Sequence, residues 1–169
     1  VGSEMCIRDR PNTLIGPVLT IDKLFYDGYK AIFIGTGVWN PKTLDIKGES
    51  LGHVHYAIDY LKSPEVYNLG KKVCVIGAGD VAMDAARTAK RNGAEEVYIL
   101  YRKGMENIPA TKVELEGAIS DGVKFELFKS PLELTEDGVK YIETENVVGE
   151  DGRINTIAIE GQEGLFECD

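Results

Sequence analysis

Six consecutive residues, Gly77-Ala78-Gly79-Asp80-Val81-Ala82, have the types and spacing that hold a diphosphate. Gly77 permits a tight turn out of an extended segment, where a Cβ would be strained. Gly79 leaves the backbone bare, so an anion can come within hydrogen-bonding distance of amide N–H groups. Ala82, in the third position of the pattern, lets a helix pack closely on a strand. A helix starting here turns its unsatisfied N–H groups and the positive end of its dipole toward that anion. Alone, such a pattern is weak. Here the apolar "KKVCVI" precedes it, a helical run follows, and "EEVYILYR" returns as another strand, which together make a dinucleotide signature. The alternative is a glycine turn in an α/β fold that binds no nucleotide.

The tip of the following strand selects between dinucleotides. An NAD site places Asp or Glu there, about 20 residues past the glycines, to accept hydrogen bonds from the ribose 2′-hydroxyl. This sequence has Leu100-Tyr101-Arg102-Lys103 instead, two adjacent cations and no carboxylate. A 2′-phosphate carries close to two negative charges, and the planar fork of Arg meets it with paired N–H bonds. The expectation is therefore NADP(H) rather than NAD(H), held by Gly77 to Ala82 with Arg102 and Lys103. A solvated Arg-Lys pair is the plainer alternative. Tyr101 is a candidate for packing on the adenine, or a half-buried strand tyrosine. Asp80 and Asp84 can contact the cofactor or a domain interface, although Asp80 at a helix start also favours the dipole without any such role. Arg87 can reach a phosphate, flank an interface or lie on a solvated helix face.

The elements needed to position these residues are legible around them. Val73 to Ile76 reads as a buried strand, followed by a helix from Asp80 to Asn92, roughly 20 Å long at 1.5 Å per residue. Ala82, Ala85, Ala86 and Ala89 give that helix a small-residue stripe for close packing on a sheet, and Gly93 ends it. A second helix is expected over Lys112 to Ser120, then a strand with alternation in "GVKFELF". Beyond Ser130 the pattern changes to short strands joined by Asp137-Gly138 and Asp151-Gly152 turns, a small antiparallel meander. Upstream, Thr20 or Asp22 can cap a short helix through Phe25 and Tyr26 that Gly28 closes. Ala31 to Ile34 is an apolar run expected as a strand buried on both faces, stopping on Gly35-Thr36-Gly37. Residues 38 to 53 read as loop, and "HYAIDYLKS" as a short amphipathic helix. Residues 1–10 show no period and are read as a non-native or unstructured leader.

Bulk properties fit this reading. The chain has 169 residues, 43% hydrophobic and 28% charged, which suits one domain of ordinary size or a piece of a larger protein. Its formal charge of −9 argues against a general nucleic-acid binder, so any phosphate recognition must be local. No apolar run approaches the roughly 20 residues of a spanning helix, and no secretory segment is visible, so a cytoplasmic setting is expected. Cys6, Cys74 and Cys168 are far apart in sequence and form neither a disulfide framework nor a metal cluster, and Cys74 reads as a core filler. His53 and His55 lack a third ligand, so no metal is assigned.

The run "VCVIGAGDVAMDAARTAKRNGAEEVYILYRKGMENIPA" resembles the NADPH-binding region of the glutamate synthase small subunit and its relatives, flavin/NADPH oxidoreductases that also include parts of dihydropyrimidine dehydrogenase and of ferredoxin:NADP oxidoreductase complexes. The shared features are Gly77 to Asp84, Arg87, Tyr101-Arg102-Lys103 and Pro109-Ala110. Upstream, "GYKAIFIGTG" is similar to the strand and "ATG" motif that closes an FAD domain, with Gly35 where Ala is usual, and "LDIKGESLGHVHYAIDYL" to the loop and helix after it. The resemblance implies an α/β fold: a Rossmann-like NAD(P)-binding domain with a parallel sheet and a small antiparallel meander at 71–169, preceded at 11–70 by part of an FAD domain. It implies NADP(H) and FAD as cofactors, with Gly35, Thr36 and Gly37 on the flavin side, and an internal fragment inactive alone. The implied partners are the FAD and iron–sulfur portions of its own chain and a glutamate synthase large subunit or ferredoxin-type protein. By that resemblance the flavin does the redox chemistry, so no catalytic side chain is assigned. Residues 38 to 72 contain no cysteine, which excludes the dithiol of the structurally related thioredoxin reductases. An NADP-sensing regulatory module without turnover is the other reading. A sensor, however, has no use for a flavin-closing motif.

Overall fold

The computed structural model describes residues 9–37, 39–149 and 153–169. It comprises two compact units, one within residues 1–38 and one within 39–169. In the first, helix α1 (Ile21–Tyr26) starts where Thr20, in an extended conformation, accepts a hydrogen bond from the Lys23 N–H at 3.1 Å. Of the two caps expected, Thr20 is the one used. Gly28 follows the helix at φ +98°, a conformation glycine adopts without a Cβ penalty. The expected strand at Ala31 to Ile34 is not formed. Residues 31–37 have no regular structure, Phe33 is 95% exposed, and Gly35, Thr36 and Gly37 are exposed. A strand exists only by pairing, and among the described residues of this unit the one pairing is an isolated bridge between Ile15 and Leu19. Of the leader, Asp9 and Arg10 are exposed and irregular, while residues 1–8, with Cys6, lie outside the described residues.

The second unit begins with a loop carrying Pro41, Gly48 and Gly52, then helix α2 (Ala57–Lys62). Strand β1 (Lys72–Ile76), helix α3 (Asp80–Arg91), strand β2 (Glu96–Tyr101), helix α4 (Lys112–Ser120) and strand β3 (Lys124–Leu127) follow. The three strands form a parallel sheet in the order β1-β2-β3. Because β1 is at the edge, its residues are half-buried rather than enclosed as expected. Strand β4 (Lys129–Thr135), β5 (Gly138–Val148) and β6 (Ile154–Glu167) form the antiparallel meander. Its first turn is Glu136-Asp137, one residue ahead of the expected position, and Gly138 opens β5 at φ +137°. The Asp151-Gly152 turn lies outside the described residues.

Strand β2 explains how these parts stack. Successive side chains of a strand point to opposite faces. Val97 and Ile99 enter one core with Met83, Ala85, Ala86 and Ala89 of α3 and Ala118 of α4, whereas Leu100 enters another with Leu134, Val139 and Phe166 of the meander. The parallel sheet is therefore covered by helices on one face and by the antiparallel sheet on the other. Each of the four stripe alanines is buried, as the close helix–strand packing requires.

Candidate nucleotide-binding site

Parallel pairing fixes the geometry of the site. Ile76 lies opposite Leu100, so β1 and β2 end side by side, and the Gly77 N–H donates to the Leu100 carbonyl at 3.0 Å. The chain then leaves β1 through the glycine turn into α3 and leaves β2 through Arg102-Lys103. Both features meet at the carboxyl ends of neighbouring strands, where open α/β sheets take their ligands.

Gly77 stands at φ +110°, and a Cβ there or on Gly79 would meet no atom within 4 Å. Gly79 is the N-cap of α3 and brings no side chain to cap it, so the helix end keeps its bare amides. Ala78 and Ala82 are buried beneath the turn, while Asp80 and Val81 are exposed. Arg102 is exposed and Lys103 half-buried, and among the described residues neither has a carboxylate within ion-pairing distance. Bare amides, open space at the glycines and two cations without carboxylate partners fit a phosphorylated dinucleotide. A cavity of about 530 Å³ lies elsewhere, beside β1, and of the expected nucleotide contacts only Val81 lines it.

Several candidates take more definite roles. Asp80 accepts the Thr111 N–H at 2.7 Å, tying the start of α3 to that of α4. Arg87 does not lie free on a solvated face: it donates to Asp121 at 2.9 Å and Glu114 at 2.7 Å, clamping α3 to α4. That hydrogen bond holds the Asp121 carboxyl below the usual range. Burial pushes the Asp84 carboxyl up, with Glu114 adding to it. Tyr101 packs half-buried against the helix-side core, and its hydroxyl donates to the Asn107 carbonyl at 2.9 Å; burial pushes this phenol up as well. His53 hydrogen-bonds the Thr135 carbonyl, and His55 meets the Tyr67 ring edge-on. Gly35, Thr36 and Gly37 belong to the other unit.

Two arrangements were not visible in sequence. Cys168 comes to lie beside Cys74: their interaction pushes the Cys74 thiol up and holds that of Cys168 down, with help from Lys72. And Thr144, far along the chain, donates its hydroxyl to the Arg102 carbonyl at 2.7 Å. Neither pairing has a local signal, because each joins residues that only the tertiary fold brings together.

Fold and site together define an α/β dinucleotide-binding protein. Residues 10–163 match the family described as pyridine nucleotide-disulphide oxidoreductase, and the chain belongs to that family. It is 32% identical over 178 aligned positions to the NADPH-Fe(3+) oxidoreductase subunit beta of Geobacter sulfurreducens, covering 94% of this chain and 25% of that one. It is 31% identical over 188 positions to the glutamate synthase [NADPH] small chain of Escherichia coli, covering 98% of this chain and 39% of that one. The chain thus spans well under half the length of these relatives. Among solved structures, thioredoxin reductase from T. acidophilum matches with a TM-score of 0.50 at 20% identity, over 70% of this chain and 38% of that one, a likeness of fold.

Proposed function

We propose that this chain is the NADPH-binding portion of a flavin-dependent oxidoreductase in which hydride passes between NADPH and FAD. The observation that carries this reading is the juxtaposition of a bare, uncapped helix start at Gly77 to Gly79 with exposed Arg102 and half-buried Lys103 on the adjoining strand end. Two relatives bearing NADPH in their names support the same nucleotide. NADPH when bound supplies the two-electron hydride donor. The chain's own residues bind and orient it. The amides at the start of α3 take the diphosphate, Arg102 and Lys103 take the 2′-phosphate, and buried Ala78 and Ala82 let the helix seat against β1. The flavin role of Gly35, Thr36 and Gly37, the iron–sulfur route and a glutamate synthase large subunit or ferredoxin-type partner are part of this proposal and rest on sequence resemblance. The described unit around Gly35 forms no strand that would shape a flavin site.

Fluorescence titration with NADPH and NADH tests the nucleotide assignment. A charge-assisted hydrogen bond contributes about 1.5–3 kcal/mol. NADPH should therefore bind roughly ten- to a hundredfold more tightly than NADH, with the gap collapsing in the double variant Arg102→Ala, Lys103→Ala. Equal affinities in the unmodified chain reject NADP selectivity.

A further inference from the structure

We propose that Thr144, on the antiparallel sheet, is a positioning residue that sets the 2′-phosphate selectivity of the Arg102-Lys103 loop. The inference rests on the nucleotide assignment above and extends it to a part of the chain with no nucleotide motif. Among the described residues Thr144 is the buried polar side chain, 5% exposed. Its hydroxyl donates to the Arg102 carbonyl at 2.7 Å, and its N–H donates to the Phe128 carbonyl at 2.8 Å. The Phe128 N–H in turn donates to the Lys103 carbonyl at 3.3 Å. The carbonyls of both loop cations thus end on the same two residues.

Two local irregularities create this convergence. The β5–β6 register shifts between Ile142, opposite Glu163, and Thr144, opposite Ala158, so the regular ladder is interrupted next to Thr144. Phe128 stands at φ +57°, a conformation rare for a bulky residue, where β3 hands the chain to β4. The strain turns its N–H toward Lys103 and its carbonyl toward Thr144. Arg102 consequently has a fixed backbone beneath an exposed side chain. Fixing the origin of a long guanidinium reduces the ordering that a two-point contact with phosphate requires, which raises affinity without adding a contact. NADH, lacking the 2′-phosphate, gains nothing from it.

Titrate NADPH and NADH into the full 169-residue chain carrying Thr144→Val, Thr144→Ser or Arg102→Ala. The valine variant keeps the shape and loses the donor. It should weaken NADPH by roughly tenfold, the scale of one hydrogen bond, with NADH unchanged, and the serine variant should restore selectivity. Selectivity preserved in Thr144→Val while Arg102→Ala abolishes it overturns the role of Thr144 and leaves the nucleotide reading standing. Equal weakening of both nucleotides assigns Thr144 a purely structural role and also overturns it. An Arg102→Ala variant of unchanged selectivity overturns the nucleotide reading and this inference with it. Should the valine variant fail to fold, amide hydrogen exchange in the unmodified chain decides: NADPH, and not NADH, should protect the Phe128 and Thr144 amides. Protection confined to residues 77–82 overturns the coupling.

Discussion

Gly77 and Gly79 sit two residues apart and answer to different constraints. Gly77 holds φ +110°, where a side chain is strained whatever room surrounds it, whereas Gly79 has an ordinary φ of −82°. Neither position is crowded. Alanine substitution therefore separates folding from binding. Gly77→Ala should destabilise the chain by about 1–3 kcal/mol, the usual cost of a residue forced into a sparsely populated backbone region. Gly79→Ala should leave the denaturation midpoint nearly unchanged and weaken NADPH, because its methyl group occupies the space through which a diphosphate reaches the amides. Urea melts and nucleotide titrations on the two variants check this, and a Gly79→Ala chain that binds normally removes the diphosphate from that turn. The sequence made both glycines conspicuous. Its spacing also divided their roles, turn at Gly77 and anion approach at Gly79, and the φ values agree with the strained turn falling on Gly77.

At the scale of elements, the antiparallel sheet is fastened to the loop before α2 as well as to the cation loop. Lys47 and Glu133 form a bridge, the Leu134 N–H donates to the Lys47 carbonyl at 2.8 Å, and Lys47 and Lys140 both reach the Glu133 carboxylate. The hydrogen bonds from Lys47 and then Lys140 lower its pKa from 4.5 to about 2. A carboxyl depressed in the folded state contributes stability that is fully present above its unfolded pKa and is lost as pH falls through the folded value. Glu133→Gln should therefore be less stable than the unmodified chain at neutral pH, with the difference vanishing between pH 4.5 and about 2. Thermal melts across that window provide the test, and a difference that persists at pH 2 assigns the effect to packing instead. The β1-α3-β2-α4-β3 succession was legible because each piece carries its own period and punctuation: α4 spans the expected Lys112 to Ser120, and α3 ends within one residue of the expected Asn92. The Ala31 strand failed because an apolar run states a need for pairing without naming the partner. The Arg87 clamp and the Thr144 anchor were invisible because a side-chain hydrogen bond across 27 or 42 residues leaves no local trace.

At the scale of the whole molecule, both hydrophobic cores and every proposed nucleotide contact except Gly35, Thr36 and Gly37 fall within residues 39–169. The unit holding residues 9–37 contributes one six-residue helix with no buried residue. Its exposed Phe33, Tyr26 and Val18 bury little apolar area that could support folding. Stability and NADPH recognition should then reside in the larger unit by itself. A chain of residues 39–169 should melt cooperatively and bind NADPH with the same dissociation constant as the full chain, within about twofold by calorimetry, since no diphosphate or 2′-phosphate contact is removed. A tenfold loss of NADPH affinity in a truncated chain that still melts cooperatively would move Gly35 to Gly37 from the flavin side to the nucleotide site. Loss of the cooperative melt would instead show that the larger unit's cores require residues from the smaller one.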